Sequence, residues 1–149
     1  MRRLFVLTLF CLSANISFSQ VLTPVNWDFT AVDEGDREYT LIFRAKIDDN
    51  WVIYSQYLES EDGPIPTSFT YEDMGDAELK GSNIEEGTIK EEYDQIFEMN
   101  LKKISGTAFF KQKIRGDKGD TIIGYLTYMT CDNARCLPPT DVDFEITLP

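Results

Sequence analysis

Two cysteines close to the C-terminus are the residues of this chain best suited to chemistry. Cys131 and Cys136 are separated by four residues, at the end of an apolar run and just before two prolines. If they form a disulfide, the bridge closes a very small ring, which by the chain-entropy model contributes only ~2 kcal/mol. A bridge of this size is better suited to being made and broken than to stapling a fold. The spacing alone nevertheless favours a plain structural disulfide, the commonest fate of a cysteine pair in an exported domain.

Composition removes most other kinds of chemistry. The chain contains no histidine, which excludes Ser-His-Asp and Cys-His catalysis and the usual imidazole metal sites. Two cysteines cannot make a four-thiolate zinc site, and neither a calcium-loop spacing of aspartates nor a glycine-rich phosphate loop is present. We therefore expect no metal and no cofactor, because a thiol pair can carry two electrons by itself.

The N-terminus has the pattern of a secretory signal peptide, predicted at residues 1–19. Two arginines precede the short apolar stretch Leu4–Leu12, and the small residues Ser17 and Ser19 suit cleavage before the next position. The third cysteine lies in the apolar stretch and would leave with it. The domain would then comprise residues 20–149 in an oxidising compartment, for which we expect the bacterial periplasm.

Charge limits the class of partner. The net charge is −12, and loss of the two N-terminal arginines would take it to −14. Such a chain repels phosphate backbones, so we expect no nucleic-acid binding. The acidic residues are spread along the sequence, which is typical of a solvated surface. No segment after residue 19 is long and apolar enough to span a membrane.

Apolar and polar residues alternate with a period of two through much of the chain, while helical periodicity is scarce. This predicts strands at Tyr39–Ile47, Thr107–Ile114, Thr121–Thr130 and Val142–Leu148, with shorter ones at Trp27–Thr30, Trp51–Tyr57, Ser68–Tyr71 and Phe97–Leu101. Arg115–Asp120, rich in glycine and aspartate, suits a hairpin connection. Seven to nine short strands in about 130 residues predict an all-β fold, a single immunoglobulin-like antiparallel β-sandwich.

Three segments together resemble a known family. They are the aromatic strand Trp51–Gln56, the loop and strand Gly63–Phe69, and the strand, Cys, short turn, Cys, apolar residue, Pro-Pro order of Tyr125–Pro139. In this order they resemble the N-terminal periplasmic domain of the thiol:disulfide interchange protein DsbD, over about residues 27–148. The chain has one residue fewer between its cysteines than the better-known members. It also contains no membrane-embedded or thioredoxin-like domain, so we expect that it cannot complete an electron path alone.

The resemblance implies an immunoglobulin-like domain that shuttles reducing equivalents through Cys131 and Cys136. A membrane DsbD-type reductase would supply the electrons through a thioredoxin-like domain. The acceptors would be periplasmic thioredoxin-like proteins, including disulfide isomerases and those of cytochrome c maturation. The resemblance also implies that Cys136 forms the mixed disulfides and that Cys131 resolves them. The alternative is a non-catalytic exported binding module whose disulfide is structural, and the fold alone does not separate the two.

The resemblance further implies an aromatic cap over the disulfide, carried by the segment Glu91–Phe97, which we predict to be a loop. Tyr93 and Phe97 are both candidates, and each has the alternative of simply packing into the core. Tyr54 and Tyr128 are candidates for lining the same pocket, since the family places aromatics there. Their alternative is the half-buried ring that is usual for tyrosine in a sandwich.

Residues next to the cysteines supply further expectations. Arg135 places a guanidinium beside Cys136, which would favour the thiolate, although an exposed turn residue is an equally good interpretation. Asp132 would disfavour ionisation of Cys131. Pro138 and the proline after it are expected to end the strand and fix the path of the chain. Both tryptophans are expected to pack in the core.

Overall fold

The computed structural model describes residues 22–60 and 62–149, so the predicted signal peptide lies outside the described residues. Nine strands make up the described fold. In chain order they are β1 (Val25–Gly35), β2 (Glu38–Ile47), β3 (Val52–Tyr54), β4 (Ser68–Asp73), β5 (Glu78–Asp94), β6 (Met99–Arg115), β7 (Thr121–Tyr128), β8 (Thr130–Cys131) and β9 (Thr140–Thr147). No helix able to cross a membrane occurs in this part of the chain.

The strands form two antiparallel sheets. The larger sheet has the order β1-β2-β6-β3-β8, and β5 pairs with β6 off this path. The smaller sheet has the order β4-β7-β9. β6 organises the larger sheet, because successive parts of it pair with β2 and β3 and almost its full length pairs with β5. The all-β, immunoglobulin-like sandwich predicted from the sequence is confirmed.

Alternating side chains of both sheets form the main core. Along β2, Leu41, Phe43 and Ala45 are fully buried and the residues between them are more exposed. The ring of Phe43 lies 4.5 Å from that of Phe69 and 4.9 Å from that of Phe144, between centroids, so the two sheets meet through aromatic contacts. This burial of apolar area is the main stabilising contribution to the sandwich.

Two predictions about the strands are wrong. The residues Arg115–Asp120 do not close a hairpin: β6 belongs to the larger sheet and β7 to the smaller one, so this segment joins the sheets. β6 has β2 along one side and β5 along the other, which leaves no edge for β7 to join. The prediction of a loop at residues 91–97 is also wrong, because residues 91–94 are the end of β5 and only the following residues turn.

A second, smaller apolar cluster lies beside the main core. Tyr54, Leu101 and Cys131 are buried in it. The partly buried side chains packed against these three are Val52, Leu58, Phe97, Met99, Met129 and Cys136. Both cysteines therefore lie in an apolar environment that the larger sheet provides.

Candidate functional site

The two cysteines form a disulfide at the edge of the larger sheet. Cys131 ends the short strand β8, which pairs with β3 through Val52. The hydroxyl of Thr130 donates a 2.9 Å hydrogen bond to the carbonyl of Val52, which fastens β8 further. Cys136 faces Cys131 across a tight turn, with 4.0 Å between the Cα atoms. Cys131 is 1% exposed, whereas Cys136 is only partly buried, so an incoming group meets Cys136 first.

The four residues between the cysteines form a turn that Asp132 organises. Its Oδ1 accepts hydrogen bonds from the backbone N–H groups of Ala134 at 2.8 Å and Arg135 at 2.9 Å. The N–H of Asp132 donates to the carbonyl of Arg135 at 2.9 Å. A short acidic side chain at the start of a turn commonly replaces backbone partners in this way. These bonds, that of Ala134 foremost, hold the pKa of Asp132 below its ordinary value.

Arg135 is mostly exposed and makes two contacts with its neighbours. Its Nε lies 3.4 Å from Oδ2 of Asp132, and its guanidinium carbon lies 5.9 Å from the centroid of the Trp51 ring. Asp132 therefore compensates part of the positive charge that the sequence places beside Cys136. Trp51 itself is partly buried against the main core, in agreement with its expected packing.

Of the two candidate cap residues, Phe97 lies in the cluster with the disulfide. Its ring meets that of Tyr54 edge-on, with 6.0 Å between centroids and an interplanar angle of 86°. Tyr54 is fully buried, and it packs in the same cluster as Cys131. Tyr93 is 59% exposed and does not belong to this cluster.

The turn that carries Phe97 is held by a buried carboxylate, that of Asp94. Its Oδ1 accepts the backbone N–H groups of Ile96 at 2.8 Å and Phe97 at 3.1 Å. Its Oδ2 accepts the hydroxyl of Tyr54 at 3.2 Å and pairs with Nζ of Lys103 at 3.0 Å. The carboxylate thus joins β3, β6 and the turn after β5.

The network changes the ionisation of two of its members. Burial alone would raise the pKa of Asp94, but the hydrogen bonds from Lys103 and from the turn outweigh it and hold that pKa below its ordinary value. Burial, followed by the adjacent carboxylate, raises the pKa of Tyr54, so its hydroxyl stays protonated and able to donate. The arrangement is an ionised acceptor surrounded by donors.

The other predicted site residues lie elsewhere. Tyr128 is buried in the main core, where its ring lies 5.5 Å from that of Trp27, and it is not in the cluster around the disulfide. Pro138 is exposed in the segment between Cys136 and β9, and its carbonyl accepts a 3.2 Å hydrogen bond from the Thr140 hydroxyl. β8 already ends at Cys131, so the expectation that Pro138 ends the strand is wrong.

Two open clefts flank the site. One, of about 420 Å³, lies between the turn after β5 and the cysteine turn, where Tyr93, Ile96, Asp132 and Asn133 line it. The other, of about 380 Å³, lies between residues 57–60 and the start of β6. Within the described residues, no three side chains of His, Cys, Asp or Glu group closely enough to hold a metal ion.

Sequence reasoning missed Asp94 and Lys103 as parts of the site. Asp94 carries a local signal, since an aspartate two and three residues before the N–H groups of a turn is a common turn-forming pattern. Lys103 carries none, because only the antiparallel pairing of β5 with β6 brings it to Asp94.

Comparison with known proteins supports the fold. No protein-family model matches the sequence, and no curated protein matches it. Among solved structures, the chain is similar to the reduced DsbD N-terminal domain of Neisseria meningitidis, with a TM-score of 0.53 and 17% identity over 83% of this chain and 85% of that one. It is also similar to the N-terminal periplasmic domain of ScsB from Proteus mirabilis, with a TM-score of 0.57 and 16% identity over 83% of this chain.

The chain spans 45% of the length of that ScsB structure and most of the DsbD domain. The resemblance inferred from the sequence is thereby confirmed for the fold: the chain has the fold of a DsbD N-terminal domain.

Proposed function

We propose that this chain is a thiol–disulfide exchange module whose working group is the Cys131–Cys136 pair. The observation that carries the proposal is the unequal burial of the two cysteines. A bridge between one enclosed and one partly exposed cysteine gives a partner a single point of attack. The small ring and the DsbD-like fold support the same conclusion. A structural staple needs neither an accessible sulfur nor a short ring.

Exchange follows from this arrangement in two displacements. In the reduced domain, the Cys136 thiolate attacks a partner disulfide, forms a mixed disulfide and releases one partner thiolate. The Cys131 thiolate then attacks the Cys136 sulfur and expels the second partner thiolate. Two electrons and two protons pass to the partner, and the domain is left with its disulfide. The reverse sequence, with a reduced donor attacking Cys136, restores the dithiol.

The proposed partners are thioredoxin-like proteins, and the proposed source of electrons is a membrane DsbD-type reductase. We place the exchange in the periplasm, because the similar ScsB domain is named as periplasmic and a signal peptide at residues 1–19 would deliver the chain there. The proposal requires no cofactor, since the sulfurs themselves carry the electrons.

The reduction potential of the purified domain tests the proposal. We expect reversible equilibration with glutathione or thioredoxin at a potential above about −300 mV, the range of labile rather than structural bridges. A pair that equilibrates with neither reagent, or only far below that potential, would support the binding-module alternative with a structural disulfide.

The roles within the pair are tested by trapping. With Cys131→Ser, the mixed disulfide formed at Cys136 has no resolving thiol, so complexes with a thioredoxin-like protein should accumulate. The matched variant Cys136→Ser leaves only the enclosed sulfur and should trap few. Mass spectrometry of non-reduced complexes distinguishes the two, and equal trapping would contradict the assigned roles.

A further inference from the structure

The carboxylate of Asp94 divides its contacts between its two oxygens. Oδ1 binds the N–H groups of the turn that carries Phe97, and Oδ2 binds Tyr54 on β3 and Lys103 on β6. One oxygen therefore shapes the turn, while the other fastens the turn to the strands beneath it. The side chain is only 5% exposed, which makes it the most enclosed carboxylate among the ion pairs of the described residues.

An ion pair buried this deeply either has a structural role where it lies or lowers the stability of the fold there. Lys103 is 14% exposed, and its other acidic neighbour is Glu92 on β5, 3.7 Å away at the surface. Burying a carboxylate costs free energy unless it is paired and hydrogen-bonded, and here Lys103 pairs with it while the turn and Tyr54 donate hydrogen bonds. The ion pair is not part of the main core: Asp94 binds Tyr54 and the backbone N–H of Phe97, which both belong to the smaller cluster at the disulfide. What the pair does restrain is the turn with Phe97.

We propose that the Asp94–Lys103 ion pair is a latch that holds the Phe97 turn against the disulfide cluster and thereby sets how often the sulfurs open to a reductant. Both are positioning residues that act through Phe97, and neither belongs to the apolar cluster that contains the two cysteines. The inference rests on the proposed exchange function and adds to it the element that controls access.

The two oxygens suggest the substitutions. Asp94→Asn keeps an oxygen for the turn but loses the charge that Lys103 and Tyr54 meet. Lys103→Met removes the same attraction from β6 and keeps the apolar stem, while Lys103→Arg keeps the charge. Glu86→Gln is the matched control, because Glu86 and Lys111 form an exposed ion pair between the same two strands at 2.6 Å.

The experiment measures the rate at which a small phosphine reduces the disulfide, by stopped flow, in the otherwise intact domain. We expect Asp94→Asn and Lys103→Met each to raise this rate about tenfold, the factor expected when a charge-assisted contact that holds the closed state is lost. The double variant should be no faster than either single one, because the two residues form one contact. Lys103→Arg and Glu86→Gln should keep the wild-type rate.

The decisive comparison is made in a Phe97→Ala background. If the latch acts through Phe97, Asp94→Asn and Lys103→Met no longer change the rate once that ring is gone. Rates that rise equally with and without Phe97 would overturn the proposal, and so would a Lys103→Met rate equal to that of Lys103→Arg. If Asp94→Asn does not fold, the comparison of Lys103→Met with Lys103→Arg still tests the proposal.

Failure of the latch and failure of the exchange function give different results. If the Cys131–Cys136 pair equilibrates reversibly with thioredoxin but the disulfide of the latch variants is reduced at the wild-type rate, only the latch is wrong. If the two cysteines do not equilibrate with thioredoxin at all, the exchange function is wrong, whatever the reduction rates of the variants are.

Discussion

Reduction of the Cys131–Cys136 bridge is expected to leave the domain folded and only modestly less stable. The bridge closes a ring of a few residues, so its loss frees little of the unfolded chain and costs ~2 kcal/mol. The cysteine turn also keeps contacts that do not involve sulfur: the Asp132 N–H bond to the Arg135 carbonyl and the Leu137 N–H bond to the Thr130 carbonyl, both 2.9 Å. The main core lies between the two sheets and does not include either cysteine.

The loss of ~2 kcal/mol on reduction can be converted into a change of melting temperature. For a domain of this size, 1 kcal/mol corresponds to about 3–5 °C, so the reduced form should melt about 6–10 °C below the oxidised one. Thermal unfolding followed by far-ultraviolet circular dichroism, with and without a phosphine, measures the difference. The double variant Cys131→Ser, Cys136→Ser is the control for effects of the reductant, and it should melt near the reduced protein.

Loss of the cooperative transition on reduction would refute this reasoning. It would mean that the bridge organises the sandwich, as a structural disulfide does, and that the apolar cluster around it depends on the S–S bond. A difference of only about 1–2 °C would instead mean that the hydrogen bonds of the cysteine turn already fix its conformation, which is compatible with exchange.

Three further predictions concern the cap, the buried carboxylate and the smaller sheet. Phe97→Ala should speed reduction by small thiols several-fold and lower the free energy of unfolding by about 1–2 kcal/mol, less than the ~3–5 kcal/mol of a fully buried ring. Tyr93 is exposed, so Tyr93→Ala should change neither the reduction rate in kinetic assays nor the stability in melting assays. The lowered folded-state pKa of Asp94 stabilises the fold fully above its unfolded pKa of about 3.8, and this contribution is lost as the pH falls through the folded value. Acid titrations followed by circular dichroism should therefore be less steep for Asp94→Asn, and an unchanged titration would contradict the role of the carboxylate. Gly124→Ala should destabilise the domain by about 3 kcal/mol in urea melts, because the added Cβ would lie 2.1 Å from a β4 carbonyl oxygen, yet the potential of the disulfide should be unchanged.

The parts of the fold that were predictable are those where one face of a strand is buried. β2 and β9 alternate clearly because each presents one side to the core and the other to water. β5 lacks that contrast, since nearly all of its residues are exposed, and it carries two register shifts that interrupt the alternation. The residue pattern of such an exposed edge strand is typical of a charged loop.

The uncertainty between Tyr93 and Phe97 had the same origin. Neighbouring residues of a strand point to opposite faces, and Asp94 is buried at the end of β5. Recognition of that strand would have placed Tyr93 outward at once. The buried Asp94 hid the alternation of β5, because a buried carboxylate is expected only where hydrogen-bond donors surround it. Its donors come from β3, from β6 and from the following turn, and the local sequence does not show that these segments lie close together.

The positions of the two apolar clusters explain how sulfur chemistry can proceed without disturbing the sandwich. β3 contributes to both: Ile53 packs in the main core, and the next residue, Tyr54, packs with Cys131 in the smaller cluster. β6 does the same with Ile104 and Leu101. The two strands therefore form a shared base, with the main core on one side and the cysteine turn and Phe97 on the other. Bond exchange at the cysteine turn then need not disturb the contacts between the two sheets, because the residues that join the sheets belong to the other cluster.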